Sequence, residues 1–278
     1  MTISAGAAAA PAFDIVRVIG RAFMTVGHAF LAAFLVVMSI GLVSMIVSGA
    51  ISAAVFSVIG AGGDRNSPLA AIPVLFSFVG FALQYAAATC VTARMADGRA
   101  AGVRPTIGEL FAWTFPRLLP VALTGFFYLV AYVIGLFLFF IPSIFVRLFF
   151  IVAGPARAVE NISWAGAFGR SAKLTENNRL AIFAAQFVYG IIMTVAFYAA
   201  IFAIALAFAA LGLAAPGVGG DLPEVGSLLA IVIVVVLLVL FLAAFVVLML
   251  LNAALPASVY VELKDVKEGG ARIDQVFA

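Results

Sequence analysis

The sequence predicts an all-α membrane protein with six transmembrane helices arranged as three hairpins, each preceded by an amphipathic helix on the cytoplasmic surface. Apolar residues make up 66% of the 278 residues and charged residues only 10%, and the charges cluster between long uncharged runs. A helix needs about 20 apolar residues to cross a bilayer, so the chain suffices for about six spans and leaves no room for a soluble domain.

The placement of basic residues supports the same count. When six spans are threaded through a bilayer, thirteen of the 15 Lys and Arg residues fall on one side. Arg65 falls on the other side, and Arg147 lies inside a span. Because cytoplasmic loops are enriched in Lys and Arg, both termini are predicted to be cytoplasmic.

The first hairpin is predicted between residues 13 and 93. The preceding residues, 1–12, are predicted to be disordered. Phe13–Gly27 has apolar residues at helical spacing and two arginines on another face, which is typical of a helix lying on the membrane surface. The first span lies within Ala29–Ile59, the turn at Gly60–Pro68, and the second span at about Leu69–Ala93.

Three serines recur at four-residue intervals in the first span: Ser44, Ser48 and Ser52. Such a stripe of small residues lets another helix approach closely. Lining a polar path is the alternative interpretation.

The second hairpin follows a basic loop. Thr106–Phe115 is predicted to be a second surface helix, and Leu118–Ile141 the third span. Proline cannot extend a helix but fits the first turn of the next, so Pro142–Ser143 is predicted to be a turn. Ser143–Ala156 has only about 14 residues, or roughly 21 Å as a helix. We favour a short span over a re-entrant segment.

The third hairpin begins after a third surface helix, Trp164–Thr175, which Glu176–Asn178 should end because asparagine tolerates the left-handed conformation. Leu180–Ala215 is too long for one perpendicular span and must tilt, kink or begin at the interface. The last span lies within Leu228–Leu251. Residues 13–264 are thus one membrane domain, and 265–278 form a cytoplasmic tail.

A short pattern recurs before each odd-numbered span, with a large apolar residue four positions before a phenylalanine. It occurs at Ile19 and Phe23, Ile107 and Phe111, Trp164 and Phe168, and again at Ile273 and Phe277. Three pseudo-symmetric units would explain it, and such symmetry often places a transport site at the repeat interface. Coincidence in so apolar a sequence is the alternative.

Arg147 is the sharpest functional candidate. A charge at mid-bilayer costs roughly 2.5–3.5 kcal/mol on insertion scales, so an intramembrane arginine indicates function. Counting from Pro142 puts Arg147 about one helical turn below the outer surface, within reach of Asp64, Asp221 or Glu224. Structural anchoring and binding of a ligand or lipid headgroup both remain open.

The other polar candidates have simpler explanations. Interhelical hydrogen bonds account for the amides of Gln84, Gln186 and Asn252 without a substrate, although each is also a ligand candidate. A basic cytoplasmic group orients the protein and attracts anionic lipid, or binds a protein partner. Its members are Arg157, Arg170, Lys173 and Arg179.

Catalytic motifs are absent from the sequence. With one histidine, His28, and one cysteine, Cys90, we expect no metal site, no cofactor and no His-based catalysis. Every acidic residue falls outside the predicted spans, which disfavours a proton-driven pump. We expect no nucleic-acid partner.

Two stretches carry a family resemblance. One contains IPSIFVRLFF and then AFGRSAKLTENN, and the other is the ending YVELKDVKEG. They are similar to bacterial multi-span proteins grouped with the membrane domain of glycerophosphoryl diester phosphodiesterases. The pattern of these proteins consists of IPG, an aromatic-rich stretch with Arg, the segment A-x-x-x-S-x-x-L-T, and a tail Y-x-x-L-K/R. Ser143 replaces the usual glycine.

The resemblance implies a free-standing integral protein of the bacterial inner membrane. In that family the hydrolase chemistry belongs to a separate soluble domain, so no catalytic residue carries over. We therefore expect a non-enzymatic scaffold or accessory factor in envelope or lipid processes. A passive transporter or channel with a path near Arg147 is the alternative, and a membrane-embedded lipid enzyme is third.

Overall fold

The computed structural model describes residues 13–60, 68–210 and 224–276. The described residues form helices joined by short turns, with one 3-10 turn at Pro68–Ala71 and no strand. The helices are α1 (Ile15–His28), α2 (Phe30–Gly60), α3 (Ile72–Ala100), α4 (Ile107–Phe137), α5 (Ile141–Phe150), α6 (Ala153–Glu160), α7 (Trp164–Thr175), α8 (Arg179–Ala210) and α9 (Glu224–Val276).

Six stretches of the described chain are long and apolar enough to cross a membrane, which indicates a multi-pass membrane protein and confirms the predicted number of spans. They are Phe30–Ile59, Ile72–Ala100, Ile107–Phe137, Ile141–Glu160, Arg179–Ala203 and Val239–Glu268. The predicted disordered N-terminus and much of the predicted turn and loop around Asp64 and Asp221 lie outside the described residues.

Side-chain caps set the start of two short helices. The carboxylate of Asp14 accepts a hydrogen bond from the Arg17 backbone N–H at 3.1 Å, at the start of α1. Ser163 Oγ accepts one from the Gly166 N–H at 3.1 Å, at the start of α7. Such caps satisfy backbone donors that have no partner inside a helix. Helix α7 has the predicted bounds, and Asn177, just beyond it, has a φ of 66°.

The second predicted surface helix is not separate. Its residues are the first turns of α4, which begins with a reciprocal cap between Thr106 and Glu109 and continues through Pro116 and Pro120 to Phe137. Proline within a helix removes a hydrogen bond, but neighbouring groups can satisfy the freed backbone. The middle unit therefore lacks the separate surface helix that the sequence pattern predicts.

The fourth membrane stretch consists of two helices, α5 and α6, separated at Ile151 and Val152. Pro155 has no N–H to donate to the carbonyl of Ile151, which explains the interruption there. Ile141–Glu160 is nevertheless 20 residues long and sufficiently apolar for one span. Pro142 lies in the first turn of α5, as predicted.

Helix α9 does not end where the apolar run ends. The sequence predicts that the last span stops near Leu251 and that a charged tail follows, whereas the helix continues to Val276, through Pro256. Its segment from Ala253 to Leu263 is almost entirely buried against other helices. Glu262, the one charged residue of this segment, pairs with Arg17 and Arg21 of α1 rather than with water, and Glu268, further along α9, pairs with Arg170 of α7.

The buried core lies towards one end of the helices. Apart from Pro73, the buried residues of α3 run from Ala86 to Gly98, and the first turns of α2 bury Ala33, Val36 and Val37. Helices α1 and α7 contact residues 262–268 of α9 at this end, and α7 also contacts α6. We call this end of the protein the charged end, because it holds the ion pairs of Arg17, Arg21 and Arg170 with Glu160, Glu262, Asp265 and Glu268.

Candidate functional site

Two ionic clusters hold residues 262–268 of α9 at the charged end. In the first, the Glu262 side chain is 1% exposed and lies 3.3 Å from the Arg21 guanidinium and 3.7 Å from that of Arg17, both on α1. Arg21 also contacts Asp265 at 3.4 Å. A buried carboxylate needs such partners because desolvation is costly for a charge.

The second cluster occupies Arg170, one of the predicted lipid-binding residues. Its Nε lies 2.9 Å from a carboxylate oxygen of Glu160 on α6, and another of its nitrogens pairs with Glu268 on α9. Tyr260 donates its hydroxyl to Glu160 at 2.8 Å. Burial would lower the pKa of Arg170, but its hydrogen bonds to Glu268 and Glu160 raise it. The charge of Arg170 is therefore balanced inside the protein.

Lys173 and Arg179 have no carboxylate partner among the described residues, unlike Arg170. The Lys173 side chain is exposed and has no partner among the described residues, while its backbone carbonyl accepts a hydrogen bond from Lys267 Nζ at 2.5 Å. The guanidinium carbon of Arg179 lies 3.7 Å from the ring centroid of Phe149, a cation–π arrangement. Arg179 Nε is buried without a hydrogen bond among the described residues.

Arg157 is half-buried beside a cavity between α4, α6 and the start of α7. The cavity has a volume of about 300 Å³ and is lined by Leu119, Pro120, Leu123, Arg157, Ser163 and Trp164. Arg157 Nε is shielded from solvent, and no group in the described chain accepts a hydrogen bond from it. A buried donor without a partner costs about 1–3 kcal/mol. Arg157 is thus the least compensated of the four predicted basic residues.

Arg147 lies two turns into α5 and is exposed. Gly135 of α4 packs against Ser143 of α5, so Arg147, one turn beyond Ser143, lies beside the part of α4 that holds Tyr128. Arg147 is within electrostatic reach of Tyr85 and Tyr128. It has no ion pair with any side chain that the structure describes; Asp64, Asp221 and the Glu224 carboxylate lie outside that set.

Gln84 lies in a groove of about 440 Å³ between α2, α3 and α9. The serines Ser44, Ser48 and Ser52 line the same groove, and Ser44 also packs against Gly80 of α3. Ser44 therefore takes part in close helix packing, while all three serines also border the groove. Neither Arg147 nor Gln186 lines this groove.

The other two amides are placed differently. Gln186 is 6% exposed, and its Nε2 has no hydrogen bond within the described part of the chain. Asn252 donates to the carbonyl of Leu248, in its own helix, at 3.0 Å. The interhelical bonds come from other residues instead: Tyr189 donates to Leu251 O at 2.6 Å and Thr92 to Ala253 O at 3.2 Å.

Sequence reasoning placed Glu160 in the basic cytoplasmic group but missed Tyr260 and Glu262 as members of the charged end. One signal was available for Glu262, because Val259, Tyr260, Val261 and Leu263 surround it with apolar residues and favour burial. Among the described residues, no group of three or more His, Cys, Asp or Glu side chains could hold a metal ion.

No protein-family model, curated protein or solved structure matches this chain. The resemblance to the phosphodiesterase membrane domain stays a prediction.

Proposed function

We propose that the protein is a non-enzymatic scaffold or accessory factor of a bacterial inner membrane, acting in envelope or lipid processes. Its three hairpins would place both termini and the charged end in the cytoplasm. There it would bind anionic lipid or a membrane or cytoplasmic protein partner. The distribution of basic residues supports the orientation, since cytoplasmic segments are rich in Lys and Arg.

The observation that carries the proposal is that some basic side chains at the charged end have carboxylate partners among the described residues and others do not. Arg170 has two carboxylate partners, whereas Arg157 and Arg179 each have a buried Nε that no group in the described ranges binds. Uncompensated cations at a membrane surface attract anionic lipid, by about 1 kcal/mol for each basic residue. Lipid phosphates at this surface would pair with the positive charges of these guanidinium groups.

Extraction of the protein in native-lipid discs, followed by mass spectrometry of the retained lipids, tests this proposal. We expect phosphatidylglycerol or cardiolipin to be enriched over the bulk membrane, or a defined protein to co-purify. A lipid composition equal to the bulk, with no stoichiometric protein, would argue against it.

Passive transport is the second candidate, and the groove at Gln84 favours it. The groove brings a side-chain amide and several hydroxyls together between three membrane helices. Polar groups facing an intramembrane space are typical of transport paths. In reconstituted vesicles, Gln84→Leu should slow solute flux if the groove conducts; the absence of any flux above protein-free vesicles would remove this candidate.

A further inference from the structure

The cavity at Arg157 combines a cation with an apolar wall. Leu119 and Leu123 on α4 are 73% and 45% exposed, and Phe126, one turn further along α4, is 55% exposed. This apolar strip is continuous with the surface that α4 presents to lipid. The volume of about 300 Å³ lies at the lower end of the range for ligand pockets, roughly 300–1,000 Å³.

The cavity wall supplies donors and no carboxylate. Arg157 has its buried Nε free of any partner in the described chain. Ser163 Oγ accepts from the Gly166 N–H, which leaves its own hydrogen to donate. Arg117 lies nearby and donates from Nε to the Ala158 carbonyl at 3.0 Å and from a second guanidinium nitrogen to the Trp113 carbonyl at 3.1 Å, so its described partners are neutral carbonyls rather than carboxylates. The local field therefore favours an anion.

Trp164 bears on the depth of the cavity in the membrane. Its ring stacks on Phe127 of α4, with centroids 4.6 Å apart, and its side chain is 45% exposed. Tryptophan is enriched at the level of lipid headgroups, where one part of the ring is apolar and another is wet. A cavity at the level of the headgroups would lie where a phosphate and the start of an acyl chain meet.

We propose that this cavity binds the phosphate of an anionic phospholipid, with Arg157 and Ser163 donating to the phosphate and an acyl chain lying along Leu119 and Leu123. This inference rests on the proposed lipid-binding function and names its site. Phosphate suits arginine because the planar guanidinium presents several donors to its oxygens. The apolar strip leading from the cavity favours a lipid over a free phosphate compound.

The test uses the full chain with Trp113→Phe, which leaves Trp164 as the only tryptophan. The protein is reconstituted in vesicles in which dibrominated phosphatidylglycerol or dibrominated phosphatidylcholine replaces increasing fractions of the lipid. Bromine quenches Trp164 when that lipid occupies the cavity. We expect about fivefold preference for phosphatidylglycerol, the effect of one basic residue.

Arg157→Gln should remove this preference. Arg104→Gln is the matched control, since Arg104 is an exposed arginine of the loop between α3 and α4 and its loss changes the net charge equally. Ser163→Asp should also remove the preference, because it places a carboxylate beside Arg157. Aspartate caps a helix as well as serine does, so this variant is expected to fold even if Arg157→Gln does not.

Three results would overturn the inference. Equal losses in Arg157→Gln and Arg104→Gln would indicate general surface charge. An unchanged preference in the folded Arg157→Gln and Ser163→Asp variants would exclude this cavity, while lipid enrichment in native discs would still support the proposed function. Loss of the preference on adding millimolar inorganic phosphate would assign the site to a free phosphate.

Discussion

Arg170 lies between two carboxylates from different helices, Glu160 of α6 and Glu268 of α9. Its guanidinium therefore connects α7 to both of them. Arg157, thirteen residues earlier on α6, has no such partner among the described residues. An arginine thus links helices at position 170 and is a candidate ligand-binding residue at position 157.

Arg170→Gln should lower the free energy of unfolding by about 1–3 kcal/mol, because it leaves two carboxylates of the charged end without their shared cation. Thermal unfolding in detergent measures this. Lys173→Gln is the control on the same helix, since within the described ranges the hydrogen bond at Lys173 is made by its backbone and not by its side chain. Equal stability of the two variants would show that the Arg170 pairs contribute nothing.

Arg147→Leu should insert and accumulate like the wild-type protein. Arg147 has no ion pair with any described residue, so its removal leaves no described acid unpaired, and we expect a change below about 1 kcal/mol. Quantitative immunoblotting of membranes, with Arg147→Asp as the disruptive comparison, measures accumulation. Failure of the leucine variant to accumulate would favour structural anchoring over ligand binding.

The turn between α4 and α5 depends on a close approach of two backbones. A Cβ on Gly135 would lie 2.8 Å from the Ser143 nitrogen and 2.9 Å from its Cα. Phe139 and Phe140, in the turn itself, have φ angles of 68° and 65°, which are unfavourable for bulky residues. The contact at Gly135 and the hydrogen bond from the Ser143 N–H to Phe140 O, at 3.1 Å, hold this turn.

Gly135→Ala should lower the free energy of unfolding by about 1–3 kcal/mol, because backbone atoms must move to accept the methyl group. Gly125→Ala is the matched control in α4, where an added Cβ meets nothing within 4 Å; alanine there should be neutral or stabilising. Thermal unfolding of both variants measures the difference in stability between them. A Gly135→Ala protein as stable as Gly125→Ala would contradict the close approach.

Elements with local signals could be predicted from the sequence, and those with distant partners could not. Helix α7 has the predicted bounds because its termination at Glu176–Asn178 is local. The length of α9 was missed because the partners of Glu262 and Glu268 lie on α1 and α7, far away in the sequence. For the same reason, sequence alone could not separate Arg170 from Arg157.

At the scale of the whole molecule, burial is concentrated at the charged end, while the remote halves of several helices expose apolar side chains. In α3, for example, Val74, Leu75 and Phe78 are 55%, 62% and 66% exposed. In a bilayer such residues contact lipid tails without a hydrophobic penalty. The six apolar stretches and this exposure together support a protein embedded in lipid, anchored at one end by ionic contacts.

Cysteine labelling tests most directly the claim that the charged end faces the cytoplasm. In a Cys90→Ala background, Leu138→Cys probes the α4–α5 turn and Glu176→Cys probes the loop after α7, both exposed. With a membrane-impermeant maleimide, we predict labelling of Leu138→Cys in intact spheroplasts and of Glu176→Cys only after permeabilisation. Labelling of Glu176→Cys in intact spheroplasts would contradict the orientation and the lipid site proposed from it.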